Sequence, residues 1–323
     1  MWWGRAYFAA QAIAGAAWWI AVWLSPVVRE ATLGSLDPVF VAILDIPLFV
    51  GASAVAAFGV RPAGIVATAW TMLVTVGLAG FATTTGEAGW GVVFMVAASC
   101  GSALALCLVL FGRVPTGWII AGPFAFRPAG TRTSPGAHVW ATVVQIIVFW
   151  GLFLWVIPVV LAALEQRWGI AATLPWLEAP ARLVGLVVFV LASALGIWAA
   201  AAMSTRGDGT PLPAAMPNRL VVAGPYRHVR NPMALAGIVQ GAAVGLMLGS
   251  WLVVAYAIAG SLLWNFAIRP LEEADLEARF GDGFRRYRAA VRCWRPRLTA
   301  VSATELGREA NPLSRRVADP QRR

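Results

Sequence analysis

The chain has 323 residues, of which 59% are hydrophobic and 12% charged, with a mean hydropathy of +0.72. A soluble domain carries about 25% charged residues, so these values describe an integral membrane protein and exclude a large soluble catalytic domain. The net charge of +10 would suggest nucleic acid as the partner of a soluble chain, but every basic residue is Arg and 17 of the 25 follow residue 204, a distribution that fits cytoplasmic loops beside anionic lipid.

In chain order, apolar runs predict membrane helices at 6–28, 39–60, 63–84, 89–112, 139–164 and 181–204, each long enough to cross. The first runs from Arg5 to Val28, too long for the core of a cleaved signal and without a cleavage site, so it reads as a span. Residues 233–268 are apolar with Gly249-Ser250 in the middle. That length is too great for one span and sufficient for two short ones, so a tight helical hairpin is expected. The fold class is therefore all-α: a polytopic bundle of about eight spans with a C-terminal hairpin, followed by an interfacial cytoplasmic helix.

Arg5, Arg61, Arg113, Arg127, Arg132, Arg206, Arg219, Arg227 and Arg230 fall on one side of this topology, against Arg29, Arg167 and Arg182 on the other. Positive charge is retained inside, which puts both termini in the cytoplasm. Residues 1–112 read as an N-terminal four-helix unit, 113–138 as a Gly- and Pro-rich cytoplasmic linker, 139–297 as a second membrane core, and 298–323 as a disordered basic tail. Cys100 and Cys107 lie in an apolar run and Cys293 in a basic segment, so neither a disulfide framework nor a metal site is expected.

Asp45 is the one carboxylate clearly at depth. It is either functional or a hydrogen-bonded acid facing the bundle beside the helix break at Pro47. Without a chain of buried carboxylates or histidines there is no proton pathway, which disfavours a transporter.

Polar residues concentrate on the two sides of the hairpin. The first segment reads Gly207-Asp208-Gly209-Thr210-Pro211-Leu212-Pro213, then Asn218-Arg219-Leu220-Val221, Gly224-Pro225-Tyr226-Arg227-His228 and Arg230-Asn231-Pro232-Met233. Asn231 before Pro232 starts a helix, because Asn caps free amides and Pro loses nothing at the first helical position. The helix N-terminus with Arg227 and Arg230 beside it forms an anion site, either for a ligand or for lipid headgroups. Gly237, Gly241, Gly245 and Gly249 follow at a spacing of four, a stripe for close helix packing. Gly237 lies within about 1.5 turns of the anion site, where it makes room for a cofactor.

The second segment, Arg269-Pro270-Leu271-Glu272-Glu273-Ala274-Asp275, opens another helix whose acidic first turn suits its dipole. Leu276, Phe280, Phe284, Tyr287 and Val291 form its apolar face, directed at the membrane or the hairpin.

In order, Gly-Thr-Pro-x-Pro, Leu-Val-x-x-Gly-Pro-Tyr-Arg, Arg-Asn-Pro-Met, the hairpin, Glu272-Glu273, Phe280-Gly281, a basic helix with Tyr287, and Pro296 make residues 207–297 resemble the isoprenylcysteine carboxyl methyltransferase and phospholipid methyltransferase superfamily of membrane enzymes. The resemblance covers about the last third of the chain and says nothing of residues 1–112. It implies S-adenosylmethionine as methyl donor, bound on the cytoplasmic side by Asn218, Arg219, Leu220, Val221, Tyr226, Asn231, Pro232, Met233, Ala234 and Glu272. Arg230 and the helix N-terminus then hold the methionine carboxylate, with Gly237 leaving space. Arg269 is the substrate-contacting arginine that the resemblance implies, and Glu273 or His228 is the candidate base. The chain departs from many members at Asn231, in place of His, and at Ala234, in place of Tyr, which removes an aromatic wall.

A sulfonium methyl is already activated, so its transfer needs orientation, desolvation and at most one base. The expected activity is methyl transfer to a lipophilic acceptor: an isoprenylcysteine carboxylate, a phospholipid or another lipid. An NADPH-dependent membrane reductase of the sterol type and a noncatalytic lipid-binding or transport protein are the alternatives. The expected location is a bacterial cell membrane, with membrane lipids as partners and no nucleic acid.

Overall fold

The computed structural model describes residues 2–117, 135–172, 175–207 and 218–301. Most of the 113–138 linker, the Gly-Thr-Pro-x-Pro stretch and most of the 298–323 tail lie outside the described residues. The chain divides into two compact units, residues 1–115 with 162–172 and residues 116–161 with 173–323.

The first unit is built on α1 (Trp2–Leu24), the short α2 (Pro26–Leu33), α3 (Pro38–Ala57), α4 (Arg61–Thr85) and α5 (Gly89–Phe111). Asp37 starts α3 by accepting from the amides of Val39 and Phe40, with Pro38 at the first position. Pro47 donates no amide, and the hydrogen-bond register loosens into a π turn over Ile46–Gly51. Arg5 donates to the carbonyls of Ala57 and Phe58 at 3.0 and 2.9 Å, neutralising the negative end of α3. Phe8, Ala56, Ala67, Ala105 and Val109 form one core cluster, with Trp19, Val22 and Leu33 in another. Gln11 donates to Ser53 and accepts from Ser102 across three helices, satisfying the buried amide.

In the second unit the membrane helices are α6 (Trp140–Arg167), whose last turns belong to the first unit, α7 (Pro175–Arg206), α8 (Pro232–Leu248) and α9 (Trp251–Leu263), followed by α10 (Arg269–Ala290). The hairpin is present, α8 and α9 being joined by Gly249 and Ser250. Gly249 takes φ +63°, returning its amide to the carbonyls of Gly245 and Leu246, and Ser250 caps α9 through the Val253 amide. At Gly245 a Cβ would meet the Val254 side chain at 2.6 Å, so only glycine permits this approach of the two arms. Among the described residues, seven helices are long and apolar enough to cross a membrane, and α8, at 17 residues, is a shorter apolar helix. The protein is thus an all-α polytopic bundle.

A π turn over Trp264–Ile268 carries α9 directly into α10, making one helical stretch of 40 residues, Trp251–Ala290. At about 1.5 Å per residue this is twice the hydrocarbon thickness of about 30 Å. Ten of the 22 residues of α10 are charged, so the apolar part, 251–268, is the membrane portion and α10 lies beyond it. The apolar face of α10, expected on the membrane or the hairpin, packs on other parts of the chain: Phe284, Tyr287 and Val291 meet Val301, Leu220 and Val222, and the helix kinks at Gly281. The chain supplies its own cover because residues 291–301 fold back along the 224–231 loop.

Candidate functional site

The loop before α8 is held by short-range bonds and by the returning C-terminal segment. Gly224–Arg227 forms a 3-10 turn. Arg230 N–H donates to Arg292 O, Arg297 N–H to His228 O and Val301 N–H to Arg227 O, at 2.9–3.1 Å. The side chains reinforce this clamp. The Arg227 guanidinium donates to Val301 O, the His228 Nδ1 pairs with Arg297 O, and Arg230 donates to the carbonyls of Arg288 and Val291. A third contact of Arg230 is an ion pair with Glu273 at 2.9 Å, which Arg269 joins at 3.6 Å. Arg269 also donates to Asn265 O, one turn back. Arg227, His228, Arg230 and Glu273 therefore tie the loop before α8, α10 and the C-terminal segment together.

Beside this clamp is a cavity of about 460 Å³. Tyr226, Asn231, Met233, Ala234, Gly237 and Glu272 stand on its wall. Asn218, Arg219, Leu220, Val221, Arg230, Pro232, His228, Arg269 and Glu273 do not. Arg219 donates its amide to Gly207 O, Leu220 packs with the α10 face, Val221 is buried with Ala199 and Ala202, and Pro232 is buried at the first position of α8. Asn218 is half-buried.

Asn231 joins two elements. Its carbonyl oxygen accepts from the Ala234 amide at 3.2 Å, capping α8, while its amide donates to Glu272 at 3.4 Å. Among the described residues, Glu272 is the only acidic or basic side chain on the wall. Removal from solvent pushes its carboxyl up to about 7, Glu273 and Asp275 push the same way, and the Asn231 amide opposes them. The Tyr226 hydroxyl, raised well above 10 by burial, stays protonated and reaches Met203 sulfur. Gly237 has nothing within 4 Å of where a Cβ would stand, so the α8 backbone is open to the cavity. This contrasts with Gly241 and Gly245, which pack against α9.

The opposite wall comes from α6 and α9: Gln145, Phe149, Trp150 and Phe153 recur at helical spacing, with Tyr256 and Trp264 beyond them. Sequence reasoning missed these residues. Gln145 in an otherwise apolar run was the one available signal, since a polar group in a span usually faces the protein interior.

This site falls mostly within one stretch of chain that resembles known proteins. Residues 180–283 match the phospholipid methyltransferase family. The match takes in most of α7, the loop before α8, the whole hairpin and about the first two-thirds of α10, so it includes Tyr226, Asn231, Gly237 and Glu272 but not α6. It agrees with the superfamily resemblance read from the motifs and supports a membrane methyltransferase acting on lipid-like substrates. No curated protein and no solved structure matches the chain.

Proposed function

We propose that the protein transfers a methyl group from S-adenosylmethionine to a lipophilic acceptor, using the cavity between α6, α8 and α9 with Glu272 at its polar end. The observation that carries this reading is the pairing of Asn231 at the α8 N-terminus with a cavity-facing carboxyl, Glu272, inside the segment that matches the methyltransferase family.

The donor set fits this cofactor. Ionised Glu272 accepts hydrogen bonds from the ammonium or a ribose hydroxyl, Asn231 keeps that carboxylate oriented, and the bare backbone at Gly237 leaves room for a flat group. When bound, S-adenosylmethionine supplies an electrophilic methyl group on a sulfonium. The chain's own contribution is orientation and the exclusion of water by Met233, Phe149, Trp150 and Phe153. Arg230, Arg269 and Glu273 act in this reading as positioning residues, holding α8 against α10, rather than as groups that touch the reacting atoms. The acceptor enters from the bilayer along the aromatic side of α6. The site lies on the cytoplasmic side, where the Arg-rich connections belong.

One observation favours a second reading, a lipid-binding protein without catalysis: His228 and Glu273 are off the wall and leave Glu272 as the only ionisable base candidate there. A carboxylate acceptor needs no base, which keeps methyl transfer chemically complete. The test is incorporation of labelled methyl groups into a lipid extract by the purified protein. Transfer that is lost in Glu272→Gln supports the enzyme; labelling that persists unchanged in that variant removes this site.

A further inference from the structure

The N-terminal unit holds a cavity that shares no residue with the one described above. Its volume is about 780 Å³, inside the usual range of ligand pockets of about 300–1,000 Å³. The wall is apolar and aromatic, with Trp18, Phe40, Phe49, Trp70 and Phe94 on it, and among the described residues Asp45 is its only acidic or basic side chain. Asp45 is 5% exposed.

Asp45 uses both of its carboxyl oxygens as acceptors. Oδ2 accepts from the Trp19 indole and Oδ1 from the Trp70 indole, both at 2.9 Å. Each oxygen receives an N–H, so an ionised Asp45 would have both oxygens held in place as acceptors. Two lone-pair sites of about four are thereby filled, and the remainder are free for a ligand. Indoles supply dipoles but no charge, and no ion pair among the described residues involves Asp45. A buried carboxylate without a cation is costly. The protein pays that cost at one point on the wall of a large aromatic cavity, and aromatic faces attract organic cations.

We propose that this cavity binds a lipophilic organic cation, such as a quaternary ammonium or phosphonium ion with bulky apolar substituents, whose charge lies beside Asp45 and whose substituents pack on Trp18, Phe49 and Trp70. A neutral acyl chain would gain nothing from Asp45 and would leave its charge uncompensated. Phe40 and Leu44, also on the wall, are 75% and 53% exposed, so the ligand enters from the bilayer.

The test is saturable binding of labelled tetraphenylphosphonium to the full-length protein in detergent, with triphenylmethane as a neutral competitor of similar shape. Wild type binds the phosphonium, Asp45→Asn weakens it at least about tenfold, and triphenylmethane displaces it poorly. Thermal unfolding establishes that the variant is folded; if it is not, the charge preference of wild type alone decides. Three results overturn the proposal: no saturable phosphonium binding, equal binding by wild type and Asp45→Asn, or displacement by triphenylmethane as effective as by unlabelled phosphonium. The first of these makes Asp45 an uncharged structural acid, and the other two make the cavity a neutral lipid pocket.

Discussion

A carboxyl that titrates near 7 couples cofactor affinity to pH. In the cofactor-free protein Glu272 sits above its ordinary 4.5, so its contribution to stability is present below about 4.5 and is lost as pH rises to about 7. A ligand that needs the ionised form reverses the trend. The affinity for S-adenosylhomocysteine is expected to rise by up to about tenfold per pH unit below 7 and to level off above it, as measured by equilibrium binding. Glu272→Gln should flatten that profile; an unchanged slope would assign the titration to another group. Arg230 makes the opposite kind of prediction. With its side chain 12% exposed and bonded to Glu273 and two carbonyls, Arg230→Ala should cost about 3 kcal/mol in thermal unfolding even without cofactor. Asn231→Ala should cost about 1 kcal/mol through the lost cap alone.

Within the hairpin, two glycines eight residues apart on α8, Gly237 and Gly245, separate packing from binding. Gly245→Ala drives a Cβ into Val254 and is expected to destabilise by about 1–3 kcal/mol. Gly237→Leu enters open space, so it should change stability by no more than about 0.5 kcal/mol while weakening cofactor binding; unfolding and binding measured on the same two variants check this pair. The hairpin, its Gly249-Ser250 turn and the start of α8 at Asn231 were legible in the sequence because each rests on local chemistry: apolar length, a left-handed glycine, a capping side chain. The roles of His228 and Arg230 were not, because they bond to residues 288–301, and nothing local announces that this segment folds back; Glu273 and Arg269 are drawn into the same cluster through the ion pair with Arg230. The α6 wall escaped for a different reason. Hydropathy alone does not distinguish a phenylalanine facing lipid from one facing a cavity, and Phe149 and Phe153 are exposed to both kinds of surroundings.

For the whole molecule, the family match is confined to residues 180–283, whereas the larger cavity belongs to the first unit. Two units with separate cavities suit a protein in which methyl transfer and a second binding function share one chain. The proposed methyl-transfer site, however, belongs to the second unit alone. Its most direct test is thermal unfolding of the detergent-purified protein with S-adenosylhomocysteine and, separately, with NADPH. At 100 times its dissociation constant a ligand stabilises the native state by about 2.7 kcal/mol. The expected result is stabilisation by S-adenosylhomocysteine that disappears in Glu272→Gln and no response to NADPH; stabilisation by NADPH alone, or by neither compound, would contradict the methyltransferase site.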